Sequence, residues 1–156
     1  MVSFRAATRD DYLAIENFAK MASRLKWDRY CEHWGRWGDF GVIAEAEERP
    51  IGAAWARLFA WNDRRDPSGE PEFPEVAAAV DPASRGLGIG TGLIRELLLE
   101  AAKLGYAGLD LMVDRSNLAA IAVYTKVGFK RIHGDACLWM RATVAQGALG
   151  QELGRH

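Results

Sequence analysis

Arg85-Gly86-Leu87-Gly88-Ile89-Gly90-Thr91 is a stretch whose residue types can hold an anion. Its alternate glycines carry no Cβ, so another molecule can come close to the backbone. They stand directly before an amphipathic segment, Gly92 to Leu104, whose helix would turn its first N–H groups and positive dipole end toward the same space. Such a corner binds phosphate or pyrophosphate, and Arg85 adds a cation beside it. Counted from Gly86 or Gly88, the third glycine of the dinucleotide fingerprint would fall on Thr91 or Leu93, and no Gly-Lys-Ser/Thr closes the run, so two familiar phosphate loops are excluded. Taken alone, the glycines are equally compatible with a plain turn.

The elements that must position this corner follow from periodicity. Val2 to Ala6 alternates at period two and predicts a first strand. Thr8 can cap a helix over 9–22, with Asp11 standing in for the acid of a capping box and Tyr12, Ile15, Phe18 and Ala19 on one face. Lys26 to Phe40 is crowded with aromatics. Tyr30, Trp34 and Trp37 recur at helical spacing, which favours packing over a substrate wall. Gly41–Glu47 and Ile51–Ala60 predict an antiparallel hairpin turning at Glu48-Arg49-Pro50. Residues 62–74, with three prolines and a glycine, read as a loop, a solvated connection or a lid. Val76 to Val80 is short, stands between Pro74 and Pro82, and predicts a buried strand of small side chains.

Beyond the glycines, Leu93, Ile94, Leu97, Leu98 and Ala101 form an apolar helical stripe that ends at Gly105. Leu109, Leu111 and Val113 alternate with Asp110, Met112 and Asp114 in another strand. Asn117 caps a helix to Lys126, closed by Gly128. Phe129–Ile132 and Cys137–Arg141 predict paired strands about a His133-Gly134-Asp135 turn. Residues 146–156 read as a frayed tail, leaving one domain over 1–145 and no linker.

Composition sets outer bounds. The 156 residues suffice for one domain with a real core. A net charge of −1 gives no reason to expect nucleic acid or an anionic membrane as partner. No apolar run approaches the ~18 residues of a membrane span, and Met1-Val2-Ser3-Phe4-Arg5 lacks a leader's apolar stretch. Cys31 and Cys137 lie far apart without metal-ligand spacing, which suits a reducing cytoplasm and argues against a metal site.

Two segments read together resemble the GNAT superfamily of acyl-CoA-dependent N-acetyltransferases. Its loop, Arg/Gln-x-x-Gly-x-Gly/Ala, is matched by Arg85, Gly88 and Gly90. Its second motif, Asn-x-x-Ala-Ile-x-x-Tyr-x-Lys-x-Gly-Phe, is matched by Asn117, Ala120, Ile121, Tyr124, Lys126, Gly128 and Phe129. The resemblance covers 74–142 well and the first third by element order alone. It implies an α+β fold: a mixed, mostly antiparallel sheet of about seven strands with helices on both faces, splayed between the fourth and fifth strands.

It also implies acetyl-CoA as co-substrate, wedged between strands at 75–81 and 108–114. The pyrophosphate would meet Arg85, Gly86 and the N–H groups of Leu87, Gly88, Ile89, Gly90 and Thr91. The pantetheine arm would meet the backbone near Val80, with Asn117 also at the cofactor. By matched position Tyr124 would stabilise the departing thiolate, and Glu75 is the first candidate base, with Glu72, Asp63 and His133 behind it. Without the resemblance, Tyr124 reads as a core residue with its hydroxyl at the surface, and Glu75 as an exposed charge beside Pro74. The acceptor would be a small-molecule or protein amine. Trp27, Trp34, Trp37, Trp55 and Trp61 hint that it is partly apolar or flat. Many members form homodimers, which this chain is compatible with. The competing readings are a different acyl group and a silent acyl-CoA sensor of the same fold.

Overall fold

Strand β1 (Val2–Ala6) pairs antiparallel with β2 (Phe40–Ala46), from Val2 opposite Ala46 to Ala6 opposite Val42. Strand β2 in turn pairs antiparallel with β3 (Arg49–Arg57). These belong to the computed structural model, which describes residues 1–22, 27–59, 73–134 and 137–144. The remaining strands are β4 (Glu75–Val80), β5 (Gly108–Asp114), β6 (Lys130–Gly134) and β7 (Cys137–Thr143). Their order is β1-β2-β3-β4-β5-β7-β6, a seven-stranded mixed and mostly antiparallel sheet. The helices are α1 (Tyr12–Ala22), α2 (Ile89–Lys103) and α3 (Leu118–Lys126). The expected α+β class and strand number are therefore observed.

The chain divides into two compact units, Met1–Arg57 with Val76–Leu97, and Leu58–Glu75 with Leu98–His156. In the first, Ile43, Ala44, Ala53, Ala54 and Trp55 are wholly withdrawn from water. Thr8 caps a single 3-10 turn, Arg9–Asp11, through a complete capping box before α1 begins. Asp11 also accepts two hydrogen bonds from Arg5, at 2.6 and 2.8 Å, and these hold its carboxyl below the ordinary carboxylate range.

Five expectations change here. The hairpin turns at Glu47 and Glu48, both left-handed (φ 52 and 62), while Arg49 and Pro50 already belong to β3. Pro50 is tolerated because it stands opposite Glu45 where the register slips. The aromatic stretch is a 3-10 turn, Trp27–Tyr30, followed by turns, so its helical spacing does not mark a helix. Tyr30 is buried, but Trp37 is 89 % exposed and does not pack. Tyr12, expected on the packed face of α1, is likewise exposed; Ile15, Phe18 and Ala19 make that face. In β4 Val76 is buried, whereas Ala77 to Val80 are only partly covered.

What holds the 27–39 segment is β3. Trp55 Nε1 donates to the Tyr30 carbonyl at 2.8 Å, and Arg57 donates to the Arg29 carbonyl at 3.0 Å and to both carboxylate oxygens of Asp39.

In the second unit β5 pairs antiparallel with β7 along its full length, Gly108 opposite Thr143 to Asp114 opposite Cys137, and β6 flanks β7. Gly108 has to be glycine. A Cβ there would stand 1.9 Å from the Ala142 carbonyl oxygen and 2.9 Å from the Phe73 ring. His133 and Gly134 lie within β6 rather than in a turn, and Asp135 lies outside the described residues. Of the expected loop over 62–74, residues 62–72 lie outside them, as do the far end of the second hairpin strand at Ala60, the tail over 146–156, Lys26 and Trp61, and with the loop Asp63 and Glu72. Cys31 and Cys137 are both free thiols. No helix among the described residues is long and apolar enough to cross a membrane.

Candidate active site

The glycine corner takes shape in the first unit. Asp81 follows β4, and its side chain caps a short turn, Pro82–Ser84, that carries the chain to Arg85. Gly86 and Gly88 then adopt φ 81 and 79, the left-handed region where a side chain is strained. A Cβ on either would meet nothing within 4 Å, so the space beside both is open. Helix α2 starts at Ile89, three residues earlier than the sequence suggests, and takes Gly90 and Gly92 into its first turn. Gly92 N–H bonds to the Gly88 carbonyl at 3.1 Å, so the N–H groups of Ile89, Gly90 and Thr91 lie ahead of the ladder. An open backbone cradle on a helix N-terminus suits a diphosphate.

Arg85 sits differently from a side chain reaching out to an anion. Its Nε donates to the Val80 carbonyl at 3.2 Å, tying the loop to the end of β4. Gly90 packs 3.9 Å from a Val80 methyl, measured from where its Cβ would be. Val80 thus adjoins both Arg85 and the first turn of α2 within this unit.

The second unit carries Tyr124, Asn117 and Glu75. Asn117 Oδ1 accepts the Ala120 N–H at 3.2 Å and so caps α3. Two turns on, Tyr124 lies 5.7 Å from the Phe129 ring, centroid to centroid, and its carbonyl accepts the Phe129 N–H at 2.9 Å. Gly128 closes the helix at φ 109. The residue is half-buried, yet desolvation pushes its phenol up to about 12. That phenol stays protonated, hence a donor, throughout the neutral range.

Glu75 opens β4 and is 1 % exposed, not the solvated charge its place beside Pro74 suggests. It pairs in parallel register with Asp110 of β5, and the Asp110 N–H bonds to the Pro74 carbonyl at 2.9 Å. Asp110, which alternation assigns to the polar side of its strand, is fully buried. Arg141 of β7 grips both its oxygens, at 2.7 and 2.9 Å, and lies 3.8 Å from the centre of the Phe73 ring. Asp110, Arg141 and Phe73 went unremarked in the sequence as site residues. The available signal was an acid in the middle of an apolar alternation and an arginine ending another. His133, the described fallback base, is exposed on β6 with its ring 6.2 Å from that of Trp139. Among the described residues no group of three His, Cys, Asp or Glu side chains is placed to hold a metal ion.

The acetyltransferase (GNAT) family model matches residues 2–129, and the chain belongs to that family. Mycothiol acetyltransferase of Saccharomonospora viridis is 32 % identical over 104 residues, covering 67 % of this chain and 34 % of its own length. That of Salinispora arenicola is 33 % identical over 147 residues, covering 83 % of this chain and 44 % of its own. The chain therefore spans about a third of the first curated relatives it matches.

Two solved structures share the fold. Ribosomal-protein-alanine N-acetyltransferase from Brucella melitensis superposes with TM-score 0.72 at 23 % identity, over 91 % of this chain and 99 % of that one. yncA from Salmonella typhimurium, solved with its cofactor acetyl-CoA, gives 0.73 at 20 % identity over 92 % and 94 %.

Proposed function

We propose that the chain is an acetyl-CoA-dependent N-acetyltransferase, moving the acetyl group directly to an amine within a ternary complex. The observation that carries this reading is the left-handed pair Gly86 and Gly88, open on the Cβ side and leading into the N-terminus of α2. Acetyl-CoA supplies the thioester carbonyl that the amine attacks. The N–H groups from Leu87 to Thr91 hold the pyrophosphate, with Arg85 keeping the loop on β4, and the backbone near Val80 receives the pantetheine arm. Asn117 fixes the start of α3 and so the placing of Tyr124.

An alkylamine with a pKa near 10.4 is almost wholly protonated at pH 7. Glu75 takes the proton, directly or through water, that frees the nitrogen lone pair. The new C–N bond forms, the C–S bond breaks with its electron pair going to sulfur, and the nitrogen's remaining extra proton leaves to water. Tyr124 donates a hydrogen bond to that sulfur. With its phenol at about 12 against a thiol near 8.5, full proton transfer would be uphill by about 5 kcal/mol. Tyr124 thus stabilises the thiolate by hydrogen bonding and keeps its own proton.

The mycothiol acetyltransferase relatives make a small-molecule amine the first acceptor to assay. Calorimetry with acetyl-CoA followed by thiol release against an amine panel tests the whole reading. Saturable binding with release on one acceptor class is expected. No heat of association at millimolar coenzyme removes the reading; binding without release on any acceptor leaves a coenzyme sensor in its place.

A further inference from the structure

Glu75, Asp110, Arg141 and Lys130 are successive register partners across β4, β5, β7 and β6. Partners on adjacent strands project to the same face, so the four side chains form one row. At its buried end two carboxyl groups stand on neighbouring strands, which is costly unless a cation answers them. Arg141 does so with two charge-assisted bonds to Asp110. It is itself seated on the ring of Phe73, two residues before Glu75. Gly108 leaves the room that ring occupies. Such a layered arrangement exceeds what a strand needs for packing.

We propose that the Asp110–Arg141 pair, seated on Phe73, is the positioning unit of Glu75, fixing where its carboxyl sits and the field in which it gives up and takes a proton. Its catalytic meaning rests on the reading of Glu75 as base. Within the second unit, and among its described residues, the charged register partners that run on from Glu75 are Asp110 of β5, Arg141 of β7 beyond it and Lys130 of β6 at the far end. The pair presents its negative member to Glu75 first. Removing the charge of Asp110 takes an anion from beside Glu75, which favours the Glu75 carboxylate. Removing the charge of Arg141 takes a cation from the row, which favours the protonated form.

The test follows the Glu75 carboxyl directly, by NMR titration of protein labelled with carbon-13 in its glutamate side chains and assigned with Glu75→Gln. Asp110→Asn should lower the titration midpoint and Arg141→Gln should raise it, each by about one pH unit. Acetyl-CoA affinity should stay within twofold while kcat falls at least tenfold. Arg141→Lys, which keeps the charge and loses the two-point grip, should restore the midpoint and part of kcat. Should Arg141→Gln fail to fold, Asp110→Asn against Arg141→Lys decides. Midpoints that stay put, or move in the same direction, overturn the proposal. Wild-type turnover in Glu75→Gln would instead remove the base reading, a result the titration does not depend on.

Discussion

Arg57 and Asp39 meet as a two-point ion pair, Nε to Oδ1 and Nη2 to Oδ2 at 2.9 Å each, with side chains 0 % and 1 % exposed. The pair fastens the 29–39 segment to β3, since Arg57 also donates to the Arg29 carbonyl and Asp39 Oδ2 accepts the Gly35 N–H at 3.0 Å. Removing one member strands a buried charge. Asp39→Ala should therefore cost about 3–5 kcal/mol in denaturant unfolding. The double change Asp39→Leu with Arg57→Met should recover much of that, but not all, because the Arg29 carbonyl then loses its donor. A single variant within about 0.5 kcal/mol of wild type would contradict this account.

The β2–β3 hairpin carries a correctable strain. Glu47 and Glu48 both sit in the left-handed region, at φ 52 and 62, which costs an ordinary residue roughly 1–2 kcal/mol. A two-residue turn of this hand prefers Asn-Gly. Replacing Glu47→Asn and Glu48→Gly together should raise the unfolding free energy by about 1–2 kcal/mol and leave turnover unaltered. A lower thermal midpoint in the double variant would count against it.

These cases show which features the chain states locally. The strands and helices near the glycine corner are readable because each is written in its own residues: alternation in Val2–Ala6, the apolar stripe of α2, the Asn117 cap. Turn positions were not. Pro50 has the look of a turn residue, and only the register slip opposite Glu45 reveals it as part of β3. The aromatic stretch misleads for a related reason. Tyr30 is fixed through its carbonyl by Trp55, and Trp34 Nε1 donates to the Thr8 carbonyl 26 residues away, neither of which periodicity can register. At the site, Gly86 and Gly88 are legible because a left-handed backbone is a local demand. Asp110 and Arg141 are not, because their pairing spans 31 residues and two strands.

The glycines of the corner should separate by role. Gly88 is left-handed with open space beside it, so Gly88→Ala strains the backbone by about 1–2 kcal/mol and displaces the N–H groups that follow. Gly90 is helical, and a Cβ there would make only ordinary contact with Val80, 3.9 Å away. Gly90→Ala should be neutral or stabilising by up to about 1 kcal/mol. Acetyl-CoA affinity should fall in both variants, measured by calorimetry beside thermal unfolding. A Gly90→Ala protein that binds coenzyme as tightly as wild type would mean that Gly90 does not lie against the ligand.

Tyr124 links turnover to alkaline stability. Its folded value is raised from 10.0 to about 12 by desolvation, so the folded chain holds the phenolic proton more tightly than the unfolded one. The resulting stabilisation is fully present below about pH 10 and is lost as pH rises from there through about 12. In urea unfolding at stepped pH, Tyr124→Phe should flatten that part of the decline, since phenylalanine has no proton to lose. In the acetyl-transfer assay the same variant should lower kcat by about 10²-fold, the scale of losing one donor to a developing anion, with acetyl-CoA affinity within twofold. The wild-type rate should show no basic limb from Tyr124 below about pH 11, because the phenol is still protonated there. Unchanged turnover in Tyr124→Phe would leave the thiolate to another donor and make the hydroxyl a packing feature of α3.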